Sequence, residues 1–238
     1  MTDTFTLVAL LVPCLVIAIV FHEVAHGFAA KALGDPTASE RGRLTLNPIR
    51  HVDPVGTLLV PGALLAFGAP PFGWAKPVPV NQWRLDNPRF GMMAVAAAGP
   101  ASNFLLAVIG VTLLGLLGQG AGASVAGGGL VLVTDAAGNV LPLDNALLYF
   151  VLINLFIGLF NLLPIPPFDG SHIVAGLLPA RLRAYWSRLQ RLGIVLIFAV
   201  IGFSWVFGTG WLEATLGPPM EWAMTFLFSL AGYNPGFF

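Results

Sequence analysis

The chain has 238 residues, of which 57% are hydrophobic and 9% charged, with a formal net charge of zero. Its mean hydropathy is +0.84. Soluble domains carry about 25% charged residues, so this composition excludes an ordinary soluble domain and points to an integral membrane protein in a lipid bilayer. The absence of net basic charge argues against nucleic acid as a partner, and the single cysteine, Cys14, excludes an internal disulfide and reads as a buried apolar side chain.

In chain order, apolar stretches run over about residues 5–33, 90–117, 146–163 and 192–207. Each approaches or exceeds the roughly 20 residues that a helix needs to cross the hydrocarbon core. The first has no basic region ahead of it and no small-residue cleavage site, so it reads as a retained span rather than a signal peptide. Two shorter stretches, residues 55–68 and 223–231, are of re-entrant or interfacial length. All eleven basic residues fall in three groups: Lys31, Arg41, Arg43 and Arg50; Lys76, Arg84 and Arg89; and Arg181, Arg183, Arg188 and Arg191. The positive-inside rule makes these groups cytoplasmic. The first two then share a side, so residues 55–68 should dip into the membrane and return. The N-terminus and the Gly-rich loop 118–145 fall outside. The fold expected is an all-α polytopic membrane protein of four to six transmembrane helices. A re-entrant or extended cytoplasmic-side segment lies between the first two core helices. The whole of 1–238 reads as one domain, with a core of about 5–178 and C-terminal helices over about 188–231. The stretch 70–80 is too rich in proline for a helix or a central strand and suits an extended edge. Most of the six tryptophans stand near the ends of apolar stretches, as interfacial anchors do.

Chemistry enters at His22-Glu23-Val24-Ala25-His26. On a helix, residues four apart share a face, so both imidazoles can reach one metal ion, and Glu23 stands beside them to hydrogen-bond a water on that ion. Two histidines and a glutamate near the inner end of an apolar helix are expensive without partners, which makes them functional candidates. Zinc suits such ligands and keeps a position open for water in hydrolytic sites, where the ion lowers the water's pKa and a carboxylate takes its proton. A third ligand is needed, and after His26 no His or Glu occurs before Glu40. The candidate lies in Asn161-Leu-Leu-Pro-Ile-Pro-Pro-Phe-Asp169-Gly170, whose prolines end a spanning helix and bring Asp169 to the same cytoplasmic face. On its own, Asp169 reads equally well as the cap of the helix that follows.

These motifs, with Gly99-Pro-Ala-Ser-Asn103 between them, resemble the site-2 protease family of intramembrane metalloproteases over about residues 21–170. The segments 46–57 and 73–80 are similar to its compact bacterial and archaeal branch. The resemblance implies one zinc ion held by His22, His26 and Asp169, with Glu23 as the general base. It matches Asn161 to an asparagine near the active site, where an amide could hold the substrate carbonyl; an interhelical hydrogen bond or a cap is the structural alternative. Asn103 has small neighbours, Gly99, Ala101 and Ser102, which suggest close helix packing. The substrate implied is a transmembrane protein, cut at the cytoplasmic side of a prokaryotic cell membrane. A regulatory PDZ domain and a nucleotide-sensing domain are not expected. His51 and Asp53 read as braces of the re-entrant segment and His172 as an interior histidine. The arginines from Arg181 to Arg191 read as topology determinants. A zinc transporter without hydrolysis is the alternative function. It would need further acidic or His sites along a path across the bilayer, and Asp135 and Asp144 stand isolated.

Overall fold

A computed structural model describes residues 4–67, 73–118, 122–126, 130–208 and 210–231. Helix α1, Thr4–Ala32, continues through Pro13. It stops at Gly34, whose φ of 99° suits glycine, and the Asp35 amide N–H donates to the Ala30 carbonyl at 2.9 Å to close the turn. A one-turn helix, α2 (Thr37–Glu40), follows. The chain next makes a 3-10 turn, Pro48–His51, with Asn47 as its cap. A π-helical turn, Pro54–Leu59, comes after it, and Asp53 accepts from the N–H groups of Val55 and Gly56 there. That turn runs into α3, Val60–Ala66.

The chain then returns, as the positive-inside argument requires. Residues 73–81 are extended. Trp74 N–H donates to the Gly56 carbonyl at 3.1 Å, and Lys76 N–H to the His51 carbonyl at 2.8 Å. His51 itself is buried, with Nε2 2.8 Å from the Thr45 carbonyl, so His51 and Asp53 brace this excursion. Residues 70–72 of the proline-rich stretch and residue 68 of the short apolar one lie outside the described residues.

Helix α4, Pro88–Leu117, starts with Asn87 as N-cap and Pro88 in the first turn, and runs through Pro100. An antiparallel hairpin follows, β1 (Gly122–Ala126) against β2 (Leu130–Thr134), with Gly122 opposite Thr134. The Gly-rich stretch 118–145, a loop by its composition, thus contains a strand pair. Val131, Val133 and Thr134 are β-branched, but the flanking glycines mask the signal. Asn145 fastens the hairpin: its Oδ1 accepts from Val133 N–H at 3.0 Å and its Nδ2 donates to the Val133 carbonyl at 2.8 Å.

Helix α5, Pro142–Asn161, ends just before Pro164, Pro166 and Pro167, as their missing amides demand. Four helices follow among the described residues: α6 (Asp169–Leu177), α7 (Ala180–Arg191), α8 (Gly193–Phe207) and α9 (Trp211–Leu230). Three of the described helices, α1, α4 and α5, are long and apolar enough to cross a membrane. Helix α8 has 15 residues, about 22 Å, and is short of a bilayer core of about 30 Å. It can form a fourth span only as a pair with α7, to which it is bent by 69°. The chain is thus an all-α polytopic membrane protein with one small hairpin.

Apolar side chains gain little from meeting each other in lipid, so close approach through small residues holds such helices together. A Cβ on Gly110 would sit 2.9 Å from Phe150 and Val151 of α5, and one on Gly158 would sit 3.0 Å from Phe104 of α4. The main cluster joins Ala107, Val111 and Leu114 of α4 to Leu148, Val151 and Leu155 of α5 and to Leu227 and Phe228 of α9. Arg89 at the start of α4 donates to the Gly176 carbonyl at 2.7 Å and the Leu178 carbonyl at 3.0 Å, tying α6 to α4.

Asp35 anchors the returning segment to the end of α1. Its carboxylate is fully buried and accepts from the Thr37 N–H, the Thr37 hydroxyl and the Asn81 N–H, with Arg84 4.0 Å away. Burial alone would raise its pKa, but the Thr37 and Asn81 hydrogen bonds and Arg84 together hold it below the ordinary carboxylate value. A lowered pKa stabilises the fold above the unfolded-state pKa, and that contribution is lost as pH falls through the folded value. Asp35→Asn should therefore lower the unfolding temperature at neutral pH. Its deficit against the native protein should shrink below about pH 4, as a thermal unfolding series in detergent would record.

Candidate active site

The ligand candidates arrive from two segments far apart in sequence. His22 and His26 share one face of α1, both buried, with ring centroids 4.6 Å apart. Asp169 reaches them because the proline break after Asn161 turns the chain sharply into α6. Gly170 sits against the Leu162 and Leu163 carbonyls, too close for any Cβ. Phe168, packed with Leu163, Ile197 and Leu216, holds the turn from the other side. Phe168, not Asp169, occupies the cap position of α6, and no side chain caps that helix. Asp169 is free to point at the histidines instead.

Asp169 Oδ2 lies 3.1 Å from His22 Nε2 and 3.3 Å from His26 Nε2, and the two nitrogens are 3.0 Å apart. His26 Nδ1 is 2.8 Å from the Val95 carbonyl. That oxygen can only accept, so Nδ1 carries the proton and Nε2 presents a lone pair. Asp169 Oδ2 is buried without a hydrogen-bond partner. Acceptor atoms crowded in this way repel one another unless a cation lies among them. Tetrahedral zinc, with bonds of about 2.0–2.1 Å, separates its ligand atoms by about 3.3 Å. The donor set therefore fits a zinc ion, and these three are the only such group of ligands among the described residues.

Two further contacts shape the site. A Cβ on Gly99 would lie 2.5 Å from His26 Cε1 and Nε2 and 2.6 Å from His22 Cε1, so α4 lies directly against both imidazoles only because residue 99 has no side chain. The close packing expected around this motif is therefore aimed at the two histidines. Glu23 Oε2 accepts from Val78 N–H at 2.8 Å, which brings the returning segment onto the glutamate of the motif.

Among the remaining candidates, Asn161 ends α5 and its Nδ2 donates to the Ile157 carbonyl at 3.0 Å. Asn103 is fully buried, with Oδ1 2.7 Å from His22 Nδ1. His172 stands 3.4 Å from Gln190 and is not one of the converging ligands. Asn154, fully buried and bonded to Asn103, escaped the sequence reading. The signal was present, since an amide in mid-span is costly unless it has a partner.

A family model described as peptidase family M50 matches residues 10–203. The chain belongs to peptidase family M50, the site-2 protease family. It is 40% identical over 196 residues to "Putative zinc metalloprotease YwhC" of Bacillus subtilis (strain 168), a match that covers 82% of this chain and 81% of that protein. It is 32% identical over 149 residues to "Putative zinc metalloprotease Rip2" of Mycolicibacterium smegmatis, covering 63% of this chain and 49% of the relative. The Rip2 of Mycobacterium tuberculosis (strain H37Rv) is 29% identical over 199 residues, covering 81% and 68%. No solved structure matches the chain significantly.

Gly99→Ala tests the close approach of α4. Moving both imidazoles by about 1 Å should reduce peptidase turnover by about 100-fold. Zinc retention after dialysis should fall in parallel, whereas Gly202→Ala, in open space on α8, should change neither.

Proposed function

We propose that this M50 peptidase is a zinc-dependent endopeptidase. It hydrolyses peptide bonds within or beside the transmembrane segments of other membrane proteins. His22, His26 and Asp169 are its metal ligands and Glu23 its general base. The observation that carries this reading is the meeting of His22 Nε2, His26 Nε2 and Asp169 Oδ2 in a buried site with no partner for the carboxylate oxygen. Two imidazoles and a carboxylate suit zinc and leave a coordination position free, and the names of the relatives agree. Bound there, zinc supplies a lower pKa for water and a Lewis-acid pull on the carbonyl under attack.

The chain's own residues supply the rest. Val78 N–H holds Glu23 through Oε2, leaving Oε1 to take a proton from the attacking water and return it to the leaving amine nitrogen. Asn161 uses one amide hydrogen on Ile157. The second holds the scissile carbonyl as negative charge develops on it. A helical substrate shields its own amides and must unwind to be cut. Residues 73–81 then offer an extended edge beside Glu23. Pro77 and Pro79 have no N–H, so along this edge the substrate strand contributes donors to their carbonyls. The basic groups at Lys31, Arg84 and Arg89 support, by the positive-inside rule, a site that opens to the cytoplasmic side of a bacterial or archaeal cell membrane.

The deciding experiment uses purified protein in detergent, a panel of tagged single-span substrates, and zinc content measured for each variant. The native chain should cut within or beside the apolar segment. Glu23→Gln should keep zinc and lose cleavage, and Asp169→Ala should lose zinc. Full zinc occupancy in Asp169→Ala would remove that residue from the ligand set. Zinc uptake into proteoliposomes by the native chain without cleavage of any substrate would favour the transporter. Val78→Pro removes the amide donor to Glu23. A hydrogen bond to a charged group is worth about 1.5–3 kcal/mol, so kcat should fall by about 10- to 100-fold with zinc content unchanged.

A further inference from the structure

An imidazole ligates metal through one ring nitrogen when its proton is held on the other. For His26 the holder is a backbone carbonyl, which can play only one part. For His22 the holder is the side-chain amide of Asn103, which could turn either its oxygen or its NH2 group toward the ring. The surroundings leave it no choice. Asn103 Nδ2 lies 3.1 Å from the Ala18 carbonyl, an acceptor only, so the NH2 group must face that way. The same Nδ2 lies 2.9 Å from Asn154 Oδ1. Asn154 is fixed in turn, because its own Nδ2 donates to the Phe150 carbonyl at 2.8 Å. Both hydrogens of the Asn103 amide are thereby engaged, and its Oδ1 is left facing His22 Nδ1 at 2.7 Å. Asn103 and Asn154 are both 0% exposed, so water does not compete for these bonds.

We infer that Asn154 and Asn103 are positioning residues. They form a relay from α5 through α4 to α1 that keeps the proton of His22 on Nδ1 and turns its Nε2 lone pair to the metal. The inference rests on the metal-site reading above. Its direction comes from two backbone carbonyls, Ala18 on α1 and Phe150 on α5, which impose the same orientation on the two amides from opposite ends. The relay also explains why two asparagines stay in the middle of apolar spans, where unpartnered amides are costly. Partners of this kind behind a ligating histidine typically change metal affinity by about 10- to 100-fold.

The test uses the full chain in detergent, native and as Asn103→Leu and Asn154→Ala, with three readouts. These are zinc affinity by chelator competition, unfolding temperature with and without zinc, and the ring N–H signals of 15N-histidine-labelled protein. The native protein should show a slowly exchanging, hydrogen-bonded Nδ1–H for His22, with or without zinc. Asn103→Leu should lose that signal, keep the one from His26, and bind zinc about 10- to 100-fold more weakly. Its zinc-linked rise in unfolding temperature should shrink in step. Asn154→Ala should change the same readouts in the same direction by less, and it decides the matter if Asn103→Leu does not fold. A fall in the metal-free unfolding temperature with unchanged zinc affinity would mark both residues as packing only and overturn the relay. So would the absence of a His22 Nδ1–H signal in the native protein. Failure of the native protein to bind zinc would overturn the metal-site reading instead, and the Nδ1–H signal of the metal-free chain would still decide the relay.

Discussion

Ionisable groups at membrane depth are tolerated only where other groups satisfy them, and that constraint organises this molecule. His22, His26 and Asp169 meet one another in a buried site, and each also needs its own support. The Val95 carbonyl supports His26, the Asn103 amide supports His22, and the turn through Phe168 and Gly170 aims Asp169. Two of these supports lie on α4, which meets both imidazoles at Gly99. Helix α4 therefore serves as the backing of the site, although it contributes none of the three converging side chains.

The end of the molecule that carries Asp35, Arg84 and Arg89 follows a different logic. There, charged side chains tie backbone segments together. Asp35 gathers the N–H groups of Thr37 and Asn81, Arg84 pairs with Glu40 at 2.6 Å, Arg43 donates to the Lys76 carbonyl at 2.8 Å, and Arg89 holds the end of α6. These bonds fix the ends of the extended segment that passes over Glu23. The proline-rich composition suits this role: it prevents the segment from becoming a helix and leaves Val78 N–H, between two prolines, as the donor to the carboxylate. The residues that the positive-inside rule reads as topology signals thus include several that also fix the extended segment beside Glu23.

What the sequence determined by itself was whatever depends on local spacing or composition. The i, i+4 spacing of His22 and His26 places them on one helix face whatever surrounds them, and the prolines after Asn161 end α5 for lack of amide donors. Long apolar runs read directly as α1, α4 and α5, and the three basic groups imply the dip and return between α1 and α4, because charge in lipid is expensive whatever the fold. Tertiary structure alone decided the pairings across the molecule. Whether Asp169 caps a helix or faces the histidines depends on how the proline turn is packed. Which atom Asn103 shows to His22 depends on carbonyls 85 residues away at Ala18 and, through Asn154, on α5. That Glu23 is held by Val78, 55 residues further along, is likewise invisible to local pattern. Hydrogen-bond partners at such separations are chosen by the meeting of helices, and local sequence carries no record of which carbonyl will face which amide.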